Sequence, residues 1–483
     1  MGAAAGSSKE VKKLLKKMKQ GGVSCFQISM SFMAALATYF LLIHTVRFHL
    51  SRIILLQPPP LPLITSSSSS SSSCPSISSS TAPISNSLSS SSPAAAANAS
   101  GGIETLGRRS GKNGEGGRSG GVVDVSPCDL FDGRWVEDGD QKSSSTTTTH
   151  PLYEPGSCPF VEEAFDCYNN GRPDLNYTRL RWKPKACSLP RLEGRKLLEM
   201  LRGKRLAFVG DSLNRNMWES LVCILRSSLD LHKDDGGGSG VYEITGKKEF
   251  RYNNSYAYRY AEYNCTVEFY RAPFLVQELV AWSSDGARKE SLRLDLMDET
   301  SSVYKTADVI IFNTAHWWTH KKTSKGEDFY QEGNHVHRKL SADDAYRKAL
   351  TTWARWVDEH VDPNRTTAFF RGYSWSHFRG GQWNSGGNCD GETSPIVEER
   401  HLAKYPKMVK ILESVISGMR TPVMYLNITR MTDYRKEAHP SVYRFSGEKR
   451  RRGDSQDCSH WCLPGVPDAW NELMYAMLLK RLA

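Results

Sequence analysis

Two short segments of this chain contain a serine, an aspartate and a histidine whose chemistries complement one another. Gly210-Asp211-Ser212 follows the apolar run Leu206-Ala207-Phe208-Val209, and Asp457-Cys458-Ser459-His460 lies far downstream. A serine hydroxyl is a weak nucleophile at neutral pH; it needs a base within hydrogen-bond reach and a carboxylate to orient that base. Thirteen histidines are available, and His316, His320, His377, His439 and His460 all lie near other polar residues. Of these five, His460 alone has an aspartate three positions upstream, a spacing that sets base and orienter on one turn. Gly-Asp-Ser by itself is equally a plain turn with Ser212 as a helix cap. The downstream segment is what makes the nucleophilic reading chemical.

The elements that must position these groups are legible around them. Lys204–Val209 reads as a buried strand, and Leu213, Met217, Leu221 and Leu225 recur every four residues, the pattern of a helix that begins beside Ser212. A strand, turn and helix of this kind deliver a side chain to the carboxyl edge of an open α/β sheet, where free helix amides favour an anion. Thr266–Tyr270, Val309–Phe312, Thr367–Phe370 and Val423–Leu426 read as further short strands. Ala342–Val361, Tyr405–Gly418 and Ala469–Leu482 read as amphipathic helices. The alternation predicts an α/β layered fold with a mainly parallel central sheet.

Two of these strands run into chemically dense loops. Asn313-Thr314-Ala315-His316-Trp317-Trp318 follows the Val309 strand, and its asparagine is either an ordinary turn former or a donor to a developing oxyanion. Arg371-Gly372-Tyr373-Ser374-Trp375-Ser376-His377 follows the Thr367 strand and leads to Gly380-Gly381-Gln382-Trp383. Aromatic residues beside glycine loops suit stacking on sugar rings, and equally suit core packing. His316, Trp317, Arg371, Tyr373, His377 and Trp383 are the candidate substrate contacts.

Upstream, the composition changes character. Lys9, Lys12, Lys13, Lys16, Lys17 and Lys19 precede an apolar segment over residues 23–46 that is long enough to cross ~30 Å of hydrocarbon as a helix. The lysines place residues 1–22 in the cytoplasm and everything after the span in a lumen, a single-pass type II arrangement. The segment is long for a signal-peptide core. Residues 47–126 are rich in serine, proline, alanine and glycine, and form a disordered stem that cannot bury enough apolar surface to fold. From Cys128 onward aromatic, charged and apolar residues return together. All of the eleven cysteines except Cys25 and Cys74 lie in that part, and an oxidising lumen would pair most of them. Cys265, inside a strand pattern, is the expected odd thiol. Cys458, His460 and Cys462 admit a zinc reading, but no second ligand pair at a suitable spacing accompanies them, so no metal is expected. Sequons stand at Asn98, Asn176, Asn253, Asn264, Asn364 and Asn427.

The net charge of +11 includes the cytoplasmic lysines and the Lys449–Arg452 cluster. A second concentration, Arg172, Arg179, Arg181, Lys183, Lys185, Arg191, Arg195 and Lys196, is either a solvated face or an attraction for an acidic glycan. A luminal address argues against nucleic acid as a partner.

The same residues carry a family resemblance. Cys128-Asp129-Leu130-Phe131-Asp132-Gly133-Arg134-Trp135, Cys158-Pro159-Phe160, Asn170-Gly171-Arg172-Pro173-Asp174 and Arg181-Trp182-Lys183-Pro184, together with the Gly-Asp-Ser and Asp-Cys-Ser-His blocks, resemble the plant trichome-birefringence-like proteins. Resemblance implies a PMR5-type, cysteine-rich N-terminal region, here 127–181, and an SGNH-hydrolase-like (GDSL) catalytic domain, here 182–483. It further implies a Golgi membrane enzyme that O-acetylates a cell-wall polysaccharide. Xylan is the first acceptor and pectin the second, and acetyl-CoA or a derived donor supplies the acetyl group with no bound cofactor. Ser212 would be the nucleophile, His460 its base and Asp457 the orienter, with Asn313 or Arg215 supporting the oxyanion. One position departs from the family pattern: Ala315 stands where glycine is usual, and a glycine-only backbone angle there would disfavour a methyl group. A polysaccharide esterase and a non-catalytic wall-binding protein are the alternative classes.

Overall fold

The computed structural model describes residues 128–482 apart from 138–150, 230–239, 248–254, 283–285, 287 and 452. The expected cytoplasmic tail, membrane anchor and stem lie outside the described residues; among the latter, no helix is long and apolar enough to cross a membrane.

The apolar run before Ser212 is strand β3 (Arg205–Gly210), following β1 (Gly133–Glu137) and β2 (Leu180–Pro184), which pair antiparallel as a separate ribbon. β3 lies inside a seven-stranded sheet with β4 (Val241–Glu243), β5 (Tyr256–Tyr260), β6 (Cys265–Arg271), β9 (Val309–Phe312), β12 (Thr367–Arg371) and β13 (Val423–Leu426), in the order β13-β12-β9-β3-β6-β5-β4. The five strands from β13 to β6 are parallel, and β5 and β4 close one edge antiparallel. The sheet is therefore mixed, and two smaller sheets accompany it. The five strands read from sequence are all here. Those missed are the β1–β2 ribbon, the edge pair and a four-stranded sheet ordered β11-β10-β8-β7. That sheet is formed by β7 (Val276–Trp282), β8 (Arg288–Met297), β10 (Tyr330–Glu332) and β11 (His335–His337). Val276, Leu292, Leu294 and Tyr330 are buried in the same core as Val209, but most other residues of these strands are polar or exposed, with Trp282 70% accessible, so the buried face is too short to show as a clear apolar alternation.

Helices cover both faces of the central sheet. Alternate β3 residues serve opposite cores: Leu206 and Phe208 pack with α2 (Ser212–Ser227) and α5 (Val466–Leu482), whereas Ala207 and Val209 pack with α3 (Ala342–His360) and α4 (Lys407–Ile416). A short α1 (Gly194–Met200) joins the first group. α5 begins at Val466, three residues earlier than its apolar pattern suggested. Pro467 fits the first turn of a helix, where its missing N–H costs nothing, and Asp468 Oδ2 accepts from Gly465 N at 3.0 Å. Tyr153, Cys167, Tyr177 and Trp182 of the N-terminal region belong to the same hydrophobic cluster as α2 and α5.

Disulfides join Cys128 to Cys187, Cys158 to Cys223, Cys167 to Cys462 and Cys389 to Cys458. Cys265 is the buried free thiol, as expected. Neither Cys458 nor Cys462 is left as a thiolate ligand. Of the sequons, Asn176, Asn264 and Asn364 are exposed, and Asn427 is half-buried.

Candidate active site

Strand order places the reactive loop. Chain order runs β3, β6, β9, β12, β13, whereas spatial order runs β6-β3-β9-β12-β13, so the winding reverses between β3 and β9. A crevice opens at the carboxyl end of such a switch point, and there Gly210-Asp211-Ser212 leaves β3 beside Asn313 at the end of β9. The two ends are in close contact. Gly210 has φ +154°, and a Cβ on it would lie 1.9 Å from Asn313 Oδ1, so both backbone angle and space require glycine. Gly210→Ala is expected to lower stability by about 3 kcal/mol, read from the denaturant midpoint, through strain and overpacking together.

Asp211 caps α2, accepting from Leu213 N at 3.0 Å, and its carboxylate is enclosed by three partners. Asn313 Nδ2 donates to Oδ1 at 2.7 Å and Asn313 Oδ1 accepts from Asp211 N at 3.0 Å. Arg371 Nη2 and His316 Nδ1 each approach to 3.7 Å, an electrostatic distance. Burial alone would favour the protonated acid; His316, Arg371 and Asn313 reverse this and hold Asp211 well below the usual carboxylate range. Ser212 is the first residue of α2, where helix amides lack intrahelical partners.

His460 comes to Ser212 from the other end of the chain. Its Nε2 lies 2.6 Å from Ser212 Oγ, and its Nδ1 lies 2.8 Å from Asp457 Oδ2. The three-residue spacing works through a turn in which Asp457 Oδ1 also accepts the backbone N–H of Ser459 and of His460. Burial disfavours both ions. Their attraction overcomes it, raising His460 above the ordinary imidazole value and holding Asp457 well below the carboxylate range.

The loop carrying the pair is pinned at many points. Two disulfides hold Cys458 and Cys462, and the backbone of Asp457 exchanges hydrogen bonds with Ser441. Asn216, one turn along α2 from Ser212, accepts from Trp461 N at 2.8 Å and donates to Trp461 O at 3.1 Å. Asn216→Ala leaves both backbone groups of Trp461 without a partner in a buried setting. The expected outcome is a kcat lowered roughly tenfold or more, corresponding to about 1–3 kcal/mol, with KM little changed in steady-state assays.

Ser212, Asp457 and His460 open into a cleft of about 370 Å³ that His316, Trp317, Tyr373 and Trp383 also line. His316 stacks parallel on Tyr373 at 4.5 Å. Trp383, Arg444, Ser455 and Gln456 also line a neighbouring depression of about 790 Å³. Lys322 reaches into the cleft, with its ammonium 4.0 Å from the Trp317 ring centroid. The other candidates stand behind this lining. Arg215 is buried and ion-paired with Glu219 at 2.9 Å and Glu162 at 3.1 Å, Asn313 and Arg371 hold Asp211, and His377 turns to His439 at 2.7 Å. Ala315 is buried and is absent from the described non-glycine residues with positive φ, so its methyl group meets no glycine-only backbone.

Residues 189–477 match the family model described as a GDSL/SGNH-like acyl-esterase family found in Pmr5 and Cas1p, and residues 126–188 match the PMR5 N-terminal domain. Protein trichome birefringence-like 1 of Arabidopsis thaliana is 57% identical over 365 residues, 75% of this chain and 63% of the relative. Protein trichome birefringence of the same plant is 57% identical over 359 residues, 74% and 57% of the two chains. Trichome birefringence-like 4 is 52% identical over 362 residues, 74% and 76%.

The chain belongs to the trichome-birefringence-like family.

It spans about three-fifths of the length of the first two of those relatives. Within this trichome-birefringence-like site, sequence reasoning missed Asp211 as an ion-pair centre, Asn216 as the loop clamp and Lys322 as a cation in the cleft. The available signal was on α2, where Asn214, Arg215, Asn216, Glu219 and Ser220 interrupt a helix that is buried on every side. So many polar groups cannot be buried without partners. Asn214 Nδ2 donates to Val209 O and Ile311 O, and Ser220 Oγ donates to Asp468 Oδ1 at 2.6 Å.

Proposed function

We propose that this protein is a polysaccharide O-acetyltransferase that works by double displacement through an acetyl-serine. The observation that carries the reading is the Ser212–His460–Asp457 relay, at 2.6 and 2.8 Å, opening onto an aromatic-lined cleft with a second depression beside it. His460 Nε2 takes the Ser212 proton as Oγ attacks the donor's acetyl carbonyl. The carbonyl oxygen gains negative charge beside the first-turn amides of α2. Collapse expels the donor's leaving group, which takes the proton from His460, and leaves acetyl on Ser212. A sugar hydroxyl then gives its proton to His460, attacks the acetyl carbonyl and carries the acetyl group away, and the proton returns to Ser212. Transfer prevails over hydrolysis when the bound glycan holds its hydroxyl closer to the acetyl carbonyl than water can be held. Trp383, 42% exposed at the cleft, supplies flat apolar surface for a pyranose ring.

Acetyl-CoA or a donor derived from it supplies the acetyl group. Residues 23–46 anchor the protein in the Golgi membrane with residues 128–483 in the lumen, where the disulfides form. Xylan is the leading acceptor on the family resemblance. Pectin is the second reading, favoured by Lys322, whose ammonium has no carboxylate partner among the described residues and suits a uronate. Mass spectrometry of the protein with acetyl-CoA, across xylan, pectin and mannan oligosaccharides, tests the reading. Acetyl on Ser212 and on one oligosaccharide supports it. Acetate release from an acetylated glycan with no dependence on an acceptor would replace it with an esterase.

A further inference from the structure

Three contacts behind the Asp457–His460 loop set a proton count. His377 Nε2 lies 3.0 Å from the backbone oxygen of Asp433, and His439 Nδ1 lies 2.6 Å from the backbone oxygen of His460. Between them the two rings meet, His377 Nδ1 to His439 Nε2, at 2.7 Å. A carbonyl oxygen only accepts, so both outer nitrogens carry hydrogen. Were both rings neutral, those would be their only ring protons, and two lone pairs would face each other across 2.7 Å. A third proton on the inner contact turns that repulsion into a charge-assisted hydrogen bond.

We propose that His377 and His439 share three ring protons, and so one positive charge, and that this charged pair positions the loop carrying His460. The inference rests on the reading of His460 as the base. Asp433 supplies the counter-charge, its Oδ1 lying 3.5 Å from His377 Nε2, and is itself fixed by Ala403 N at 2.6 Å to Oδ2. His439 faces Asp457 and His460 from the loop, stacks on Trp461 at 4.1 Å, and receives Arg172 Nη1 at its backbone oxygen. Burial, and then His377, hold His439 well below the ordinary imidazole pKa. Asp433 lies against the His377 ring, so the counter-charge is on that side of the pair. The pair grips the loop twice: the His439 ring donates to His460 O, and His377 N donates to Cys458 O at 2.9 Å. Loss of the shared proton at high pH leaves the inner contact repulsive, displaces His439 from the His460 carbonyl and lowers kcat. KM is unaffected, because neither ring lines the cleft.

Nitrogen-15 NMR of the full-length protein labelled at histidine counts the ring protons directly, with His377→Asn and His439→Asn spectra assigning the signals. Three protonated nitrogens of the four at neutral pH are expected; two would overturn the proposal whether or not acetyl transfer has been observed. Kinetics supply the second arm. His377→Phe should lower kcat about tenfold with KM retained. In His377→Asn, the carboxamide N–H₂ takes the place of Nδ1–H without titrating, so it should recover most of that loss and remove the alkaline decline. An unchanged kcat in His377→Phe, or an alkaline decline that persists in His377→Asn, would equally overturn it.

Discussion

Ser212→Ala lowers kcat for acetyl transfer by about 10⁶-fold, removes the acetyl-protein species from the mass spectrum, and moves the thermal midpoint little. The magnitude is that of deleting a serine nucleophile where base and orienter act with it as one unit. Stability is spared because Ser212 is neither the cap of α2 nor a core residue. Asp211 holds the cap, and the residue is half-buried at the cleft floor. The deletion leaves His460 Nε2 facing a water-accessible cleft, so no buried group is orphaned, and surface-type changes of this kind stay within about 0.5 kcal/mol. A variant that still transfers acetyl at the wild-type rate would remove Ser212 from the mechanism. A variant that unfolds would show that the relay also supports the fold.

Asp457→Asn lowers kcat by about 10⁴-fold through the tautomer of His460. The carboxylate accepts Nδ1–H at 2.8 Å and leaves Nε2 as the lone pair that takes the Ser212 proton. A carboxamide turned to accept the Ser459 and His460 amides through its oxygen presents N–H₂ to Nδ1. The ring then carries its hydrogen on Nε2 and cannot act as the base. The pH profile gives a second readout. His460 must be neutral to accept a proton, and its pKa is raised, so activity falls as pH drops through a value above the ordinary imidazole ~6.5. Removing the Asp457 charge lowers that limb. Stability falls in the same direction: Asp457 titrates below its unfolded value, so its contribution is present above pH ~4 and is lost on acidification. An Asp457→Asn enzyme with an unshifted acid limb would sink the assignment of His460 as the titrating base.

Legibility followed burial. Val309–Phe312 was read to the residue because a strand buried on both faces is a continuous apolar run, and the half-buried edge strand Val423–Leu426 keeps enough of such a run to be read as well. β7 and β8 were missed because only Val276, Leu292 and Leu294 of this hairpin are buried, too few to make such a run. Helix α2 was legible as a helix from its apolar repeat. Only the packing of α5 and the N-terminal region against it shows why Asn216 and Ser220 are polar and yet inaccessible.

Local chemistry in the sequence determined the nucleophile's turn, the aspartate three residues before the base, the parallel strands and the pairing-competent cysteines. Each is a matter of near neighbours or of apolar period. The tertiary structure alone decided that His460 reaches Ser212, that Asn313 and Arg371 serve Asp211, and that His377 faces His439. Those partners are separated by long stretches of chain, and their distances depend on strand order and on which groups burial leaves without water.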